Sequence, residues 1–420
     1  MIELKEYPLD KLYKMESGIS TKPEQAGHGF PFVSFSSIYN NAILPEELPD
    51  LMDTSEEERK RYSVKEGDIF LTRTSETLDE LAMSSVAVKD YPNATFSGFA
   101  KRLRPIQTNI TYAKFMAFFM RSNYFRKIIN CKAVMTLRAS FNEEIFSYIK
   151  VKLPGYEHQV KCGDLFYAIE QKIRNNDKIN TELEMMIKTI YEYWFLQFEF
   201  PNEEGKPYKS SGGKMVWNEE LKREIPEEWK HNKIKEITEF TTGYSFSSNT
   251  YVKKGKFKLY TIKNVQDGKI QSKVENYLKD VPIDMPKECL LHSGDILMSL
   301  TGNVGRVGLV YENNALLNQR VLKIIPKDNL CFVYMLLRSR QIQRILEKVS
   351  TGTSQKNLSP INIGEIIISY PSEKVLQHFE QMCNMSLKMI VKNLEENEEL
   401  IYLRDFLLPL LMNGQVGFMD

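Results

Sequence analysis

YEHQVKCGDLFYAIEQKIRNNDKINTELEMMIKTIYEYWFLQF, residues 156–198, holds no proline and a single glycine, Gly163. Its apolar residues return on a three-four rhythm at Phe166, Ile169, Ile173, Leu183, Ile187, Ile190 and Trp194. That rhythm predicts a long helix with one seam turned to a partner helix. At ~1.5 Å per residue such a helix is about 60 Å long, more than one small domain needs. A second stretch, residues 372–412, repeats the rhythm at Phe379, Met382, Met389, Leu400, Leu403, Leu407 and Leu410. Asn176 and Asn180 interrupt the first seam, and Ser386 and Asn393 the second, as register-setting polar residues do. Glu398 is expected on the solvent face. Each helix follows a block of similar length, so the 420 residues read as block, helix, block, helix.

The blocks repeat one another. Leu9–Leu12 followed by Ser17 and Gly18 matches Ile234–Ile237 followed by Thr242 and Gly243. Residues 32–35 match 259–262, and the GDIFL at 67–71 matches the GDILM at 294–298. Residues 102–105, 120–122 and 148–154 match 323–326, 337–339 and 365–371, and Tyr191 and Phe195 match Tyr402 and Phe406. The order never breaks while the offset drifts from 227 down to 211, which is what loop-length changes in a duplicated chain produce. In the first block, residues 32–38, 68–72, 84–88 and 99–103 read as strands; in the second, 258–262, 295–300, 307–311 and 320–325 do. A helix follows in each, over 112–129 and 332–349. The fold class is therefore α+β: two duplicated mixed α/β blocks, each followed by a long helix, with the helices paired. The expected divisions are 1–154 for the first block, 155–200 for its helix, 201–224 for a polar linker, 225–371 for the second block and 372–414 for the second helix.

Charge divides along the same lines. The net charge is +1, but residues 155–205 carry five Lys/Arg against ten Asp/Glu, and residues 372–420 carry four against eight. The rest of the chain then holds a net +10. Basic blocks suit a polyanion such as nucleic acid. The bland counter-reading is that solvated helix faces are often rich in glutamate. No apolar run has the length of a membrane span, and MIELKEYPLD lacks the character of a signal peptide. The five cysteines form no C-x-x-C, so reduced thiols and a cytoplasmic location are expected.

Motifs for chemistry are sparse. No P-loop, H-E-x-x-H or G-x-S-x-G pattern occurs, and the run of Asn-Pro-Pro-aromatic typical of adenine methyltransferases is missing. No cofactor, metal or catalytic residue is expected. Pro49 and Asp50 followed by Glu58, Arg59 and Lys60 imitate a nuclease signature, but they lie in an acidic loop or short helix without a counterpart in the second block. Gly302, Gly305 and Gly308 imitate a phosphate cradle, yet a strand-like stretch follows them, so a strand-to-strand turn is the reading here. The polar residues around that turn are donors suited to phosphates and base edges. The candidate DNA-contacting set is Arg73, Thr74, Ser75, Arg102, Arg138 and Ser140 in the first block. In the second it is Tyr244, Ser245, Thr301, Asn303, Arg306, Gln319, Arg320, Gln355, Lys356 and Asn357.

These features meet in one family. The IPEEW at 225–229, Thr242 and Gly243, the GDIL at 294–297 and the LTGNVGR at 300–306 carry the likeness. So do the TGTSQ at 351–355 leading to Leu358, the YEYWFLQFEF at 191–200 and the LRDFLLPLLMNG at 403–414. With the duplication, they make the chain resemble the specificity subunit of type I restriction–modification systems. The first block departs from the second: its TRTSETLDEL, residues 72–81, lacks the glycines, and the Pro–Trp entry motif is missing. The resemblance implies two target recognition domains, each reading half of a split double-stranded DNA target. It implies an antiparallel coiled coil of the long helices holding those domains apart. It also implies methyltransferase subunits, two of them, docked on the helices, and motor-nuclease subunits for cleavage. Two other readings stand beside it: a specificity-like subunit of a related DNA-methylation or defence system, and a coiled-coil scaffold that binds no DNA.

Overall fold

Both long stretches form helices in the computed structural model, which describes residues 2–75, 80–132, 139–352 and 356–418. They span Tyr156–Tyr191 and Glu373–Met412. The first ends in a single π turn, Glu192–Leu196. The chain divides into two units, residues 1–172 with 400–420, and residues 173–399, so each unit holds a segment of both helices.

Within the second unit the helix segments run antiparallel. Asn176 donates to Asn397 Oδ1 at 2.9 Å, and Asn393 donates to Asn180 Oδ1 at 2.8 Å. Between and beyond these amides Ile187 and Trp194 share a core with Phe379, Cys383, Leu387, Ile390 and Leu394. In the first unit Phe166 and Ile169 are buried and Arg404 pairs with Glu170 at 3.4 Å. The first seam is thus the expected one. The second is shifted: Met382, Met389 and Leu403 are exposed, and Cys383 and Ile390, one residue on from the two methionines, are buried. This helix is apolar on two faces, so its rhythm fits either phase; the phase taken buries more Leu and Ile and brings Asn397 to Asn176. Glu398 is not a free surface residue. It accepts from Ser272 at 2.7 Å and from Lys258 at 3.5 Å, which ties the helix to its own block.

The duplication extends to strand order. In the first unit the strands Tyr13–Ser17, Ala100–Pro105, Ile69–Thr72 and Ser84–Val86 lie side by side, all antiparallel. In the second, Thr238–Thr242, Val321–Pro326, Ile296–Ser299 and Val307–Leu309 take the same places, with Gly268–Lys269 added at the edge. Register repeats as well: Tyr13 faces Pro105 as Thr238 faces Pro326, and Ile69 faces Leu103 as Ile296 faces Ile324. A second sheet in each unit contains one parallel pair, Ala26–Val33 with Thr95–Phe96 and Phe257–Tyr260 with Ala315–Leu317. A third pair, Leu4–Pro8 with Lys150–Pro154 and Lys230–Lys233 with Ile367–Tyr370, leads into the long helix of each copy.

Local chemistry accounts for the departures from expectation. The strand expected over 32–38 stops at Val33, because Ser34 accepts from Ser37 N at 3.2 Å and caps the helix Phe35–Asn40. Each helix after the sheets is broken in two, Ala113–Phe119 and Asn123–Lys132 in one block, Leu330–Arg338 and Arg340–Val349 in the other. The matched serines sit at the breaks: Ser122 Oγ accepts from Phe125 N and Ser339 Oγ from Ile342 N, both at 3.3 Å. The stretch expected as a polar linker is itself folded. Tyr208 stacks on Phe200 at 4.6 Å, and Met215–Asn218 pairs with Arg223–Pro226. Trp229 of the IPEEW motif is buried against Phe198 and Phe200.

Candidate nucleic-acid interface

In the second unit four loops are laced together at one edge of the main sheet. Beyond Thr242, Gly243 N donates to Val321 O at 3.1 Å and Tyr244 N to Leu317 O at 2.9 Å. A Cβ on Gly243 would stand 2.0 Å from Asn318 O, so only glycine permits this approach. Leu300 N donates to Arg320 O at 3.1 Å, which joins the 318–320 turn to the loop after Ile296–Ser299. That loop returns through Ser299 N to Arg306 O at 3.0 Å, with Gly302 and Gly305 at φ of +73° and +78°. It is the strand-to-strand turn that the sequence suggests. Leu358 N donates to Leu300 O at 2.8 Å and Gly302 N to Lys356 O at 3.2 Å, which brings in the fourth loop.

This lacing gathers the described candidates of the second block. Ser245, Asn303, Gln319, Arg320, Lys356 and Asn357 are exposed. Tyr244 and Arg306 are half-buried; Arg306 donates to Gln266 Oε1, a neutral partner, at 2.8 Å. Tyr244 donates to Asp284 at 2.7 Å, and this bond to a carboxylate raises the phenol's pKa. Thr301 points inward: it is 9% exposed, and its Oγ1 is buried with no partner among the described residues. Gln355 lies outside the described residues.

The first unit builds the same edge from different residues. Ile19 N donates to Phe96 O at 2.9 Å, and a Cβ on Gly18 would stand 2.2 Å from Ser97 O. Arg73 N donates to Phe99 O, and Phe141 N to Arg73 O, both at 2.9 Å. Thr74 pairs with Ser140 and Ser75 with Ala139 as short strands, where Thr301 bridges to Asn357 in the other copy. Arg73 is exposed. Arg138 lies outside the described residues. Arg102 does not belong to this edge. It is 2% exposed, donates to Ser63 O at 2.6 Å, pairs with Glu16 and lies over the Phe96 ring. Burial lowers its pKa, and a guanidinium so enclosed holds the sheet together rather than meeting a phosphate.

The nuclease-like residues are occupied locally. Asp50 accepts from Ser34 at 2.5 Å, Glu58 closes a capping box with Ser55, and Lys60 pairs with Glu56 at 2.6 Å on the surface. Sequence reasoning missed Phe99, which it placed at the head of a strand. Phe99 stands 68% exposed in the turn before Ala100–Pro105. The match of Arg102–Pro105 with Lys323–Pro326 already sets it opposite Arg320.

The family model for the type I restriction modification DNA specificity domain matches residues 3–185 and 226–382. The chain belongs to this family. Its two matched stretches are the two copies described above. The HindI type I restriction enzyme specificity subunit of Haemophilus influenzae is 23% identical, with 92% of this chain and 94% of that one covered. The MjaIX specificity subunit of Methanocaldococcus jannaschii is 23% identical, with 83% of each covered. A crystal structure of the type I S subunit from M. genitalium shares the fold at a TM-score of 0.61 and 14% identity, over 100% of this chain and 97% of that one. As a member of this family, the chain is a specificity subunit of a type I restriction–modification system and recognises a DNA target in two parts.

Proposed function

We propose that each block reads one half of the split target through its four-loop edge, the blocks being residues 1–154 and 225–371. The chain then directs methyltransferase subunits, two of them, and motor-nuclease subunits to the site. It performs neither reaction itself, requires no cofactor and works in the cytoplasm. The observation that carries this reading is the edge built twice by the same backbone bonds and furnished with different exposed side chains. Such a design keeps the frame and varies the readout, as a chain that recognises two unlike half-sites requires. The net +10 outside the acidic helices supplies the attraction to phosphate.

The proposed contacts are Arg73, Thr74, Ser75 and Ser140 in the first block, with Tyr244, Ser245, Asn303, Arg306, Gln319, Arg320, Lys356 and Asn357 in the second. Thr301, whose side chain is turned inward, is not among them. Fluorescence anisotropy of the chain with its modification subunits on duplex DNA, at several salt concentrations, tests the reading. A steep fall of affinity with salt is expected, because each neutralised phosphate releases counterions. Binding that is absent or indifferent to salt refutes it. Methyl transfer from a labelled donor by the chain alone would overturn the non-catalytic part.

A further inference from the structure

We infer that Phe99 is an apolar base-contacting residue of the first block, and that Arg320 at the equivalent place is a cationic base contact of the second. The two half-sites are then read by opposite chemistry at one shared position. This rests on the DNA-reading role proposed above.

The equivalence is one of backbone bonds. The carbonyl of Phe99 accepts from Arg73 N at 2.9 Å, and the carbonyl of Arg320 accepts from Leu300 N at 3.1 Å. The next residue closes the same turn in both copies, Ala100 N to Ser97 O and Val321 N to Asn318 O, each at 2.9 Å. Phe99 N donates to Ser97 Oγ at 3.2 Å and Gly98 N to Ile19 O at 2.7 Å, so the turn that presents the ring is bonded at each step. The ring itself is left in water at 68% exposure. A lone exposed apolar residue is ordinary on a protein surface. This one occupies the position where the other copy carries an exposed arginine, beside the exposed Arg73.

The chemistry of each side chain names its partner. A phenyl ring offers no conventional hydrogen bond, so its partners on a base are an unstacked base face or a thymine methyl group. An arginine fork matches the O6 and N7 of guanine in the major groove. Phe99 should therefore contribute affinity that does not depend on salt. Arg320 should contribute discrimination for a G·C pair.

The test uses the full chain with its modification subunits on a duplex whose target comes from methylation mapping. Phe99→Ala should weaken binding by about 5- to 150-fold, the equivalent of ~1–3 kcal/mol, with an unchanged salt slope. Its loss of discrimination should be confined to one half-site, and Phe99→Leu should retain part of the affinity. Replacing each thymine of that half-site in turn by deoxyuridine separates methyl contact, which costs affinity at one position, from stacking, which costs none. Arg320→Ala should relax a G·C pair in the other half-site only, whereas a phosphate contact would weaken all sequences alike and lower the salt slope. The inference fails if Phe99→Ala binds as the wild type does, if it alters the salt slope, or if Arg320→Ala acts on all sequences equally. A wild-type complex with no salt-dependent DNA binding overturns the proposed function instead.

Discussion

Replacing Asn176 by leucine should destabilise the second unit, and replacing Asn397 as well should restore most of the loss. Asn176 is 1% exposed and donates to Glu396 at 2.8 Å and Asn397 at 2.9 Å; Asn397 is 6% exposed and donates to Asp177 at 3.0 Å. Asn176→Leu removes two bonds and leaves Asn397 Oδ1 buried without its donor. Removing a bond costs about 1 kcal/mol net, and an orphaned buried polar group ~1–3 kcal/mol. Leucine regains part of this by burying apolar surface. The net loss is then about 2 kcal/mol. In the double variant no amide is left unmatched at this pair of positions and the Asn180–Asn393 pair is untouched, while Asp177 is exposed and Glu396 half-exposed. The coupling between the two substitutions should reach at least ~1 kcal/mol. All three tryptophans, Trp194, Trp217 and Trp229, lie in the second unit, so intrinsic fluorescence in a urea titration follows that unit alone. Strictly additive losses would refute the pairing of the two amides and the antiparallel register built on it.

Glu398→Ala should lower the same unit's stability by about 1 kcal/mol, because it removes the acceptor for Ser272 and Lys258; a melt unchanged from wild type would count against that tie. Under native conditions at pH 8 a thiol reagent should label Cys131 alone within minutes. Cys131 is exposed, while Cys162, Cys289, Cys331 and Cys383 are buried, and burial pushes the Cys162 and Cys383 thiols up to about 12. A second fast thiol by Ellman titration would contradict this packing.

The periodicity of residues 156–198 marks the seam that is buried, although Ile179, Met185 and Met186 stand exposed off it. That of Glu373–Met412 does not: methionines at 382, 385 and 389 make a second face apolar enough to mislead, and only the partner amides choose between them. The duplication was legible because Gly18 and Gly243 stand where any Cβ would meet a carbonyl, and Ser122 and Ser339 where a helix must be capped anew. Arg102 was misread because a basic residue in an alternating strand looks the same whether it faces water or Glu16; only the partner strand decides. Phe99 was missed for the opposite reason. An aromatic residue before an apolar strand reads as strand, and its exposure follows from the bonds of the turn that holds it.

The proposed function puts two independent readers on one chain. Genome-wide methylation mapping, in cells that carry the chain with its modification subunit, tests it most directly. The wild type should give a motif of two parts with a fixed gap. Asn303→Ala and Arg306→Ala should each broaden one part of that motif, since either removes a proposed base-edge contact, worth ~1–3 kcal/mol of discrimination, and leave the other part and the gap unchanged. A contiguous motif, or a change in both parts from either substitution, would contradict the account.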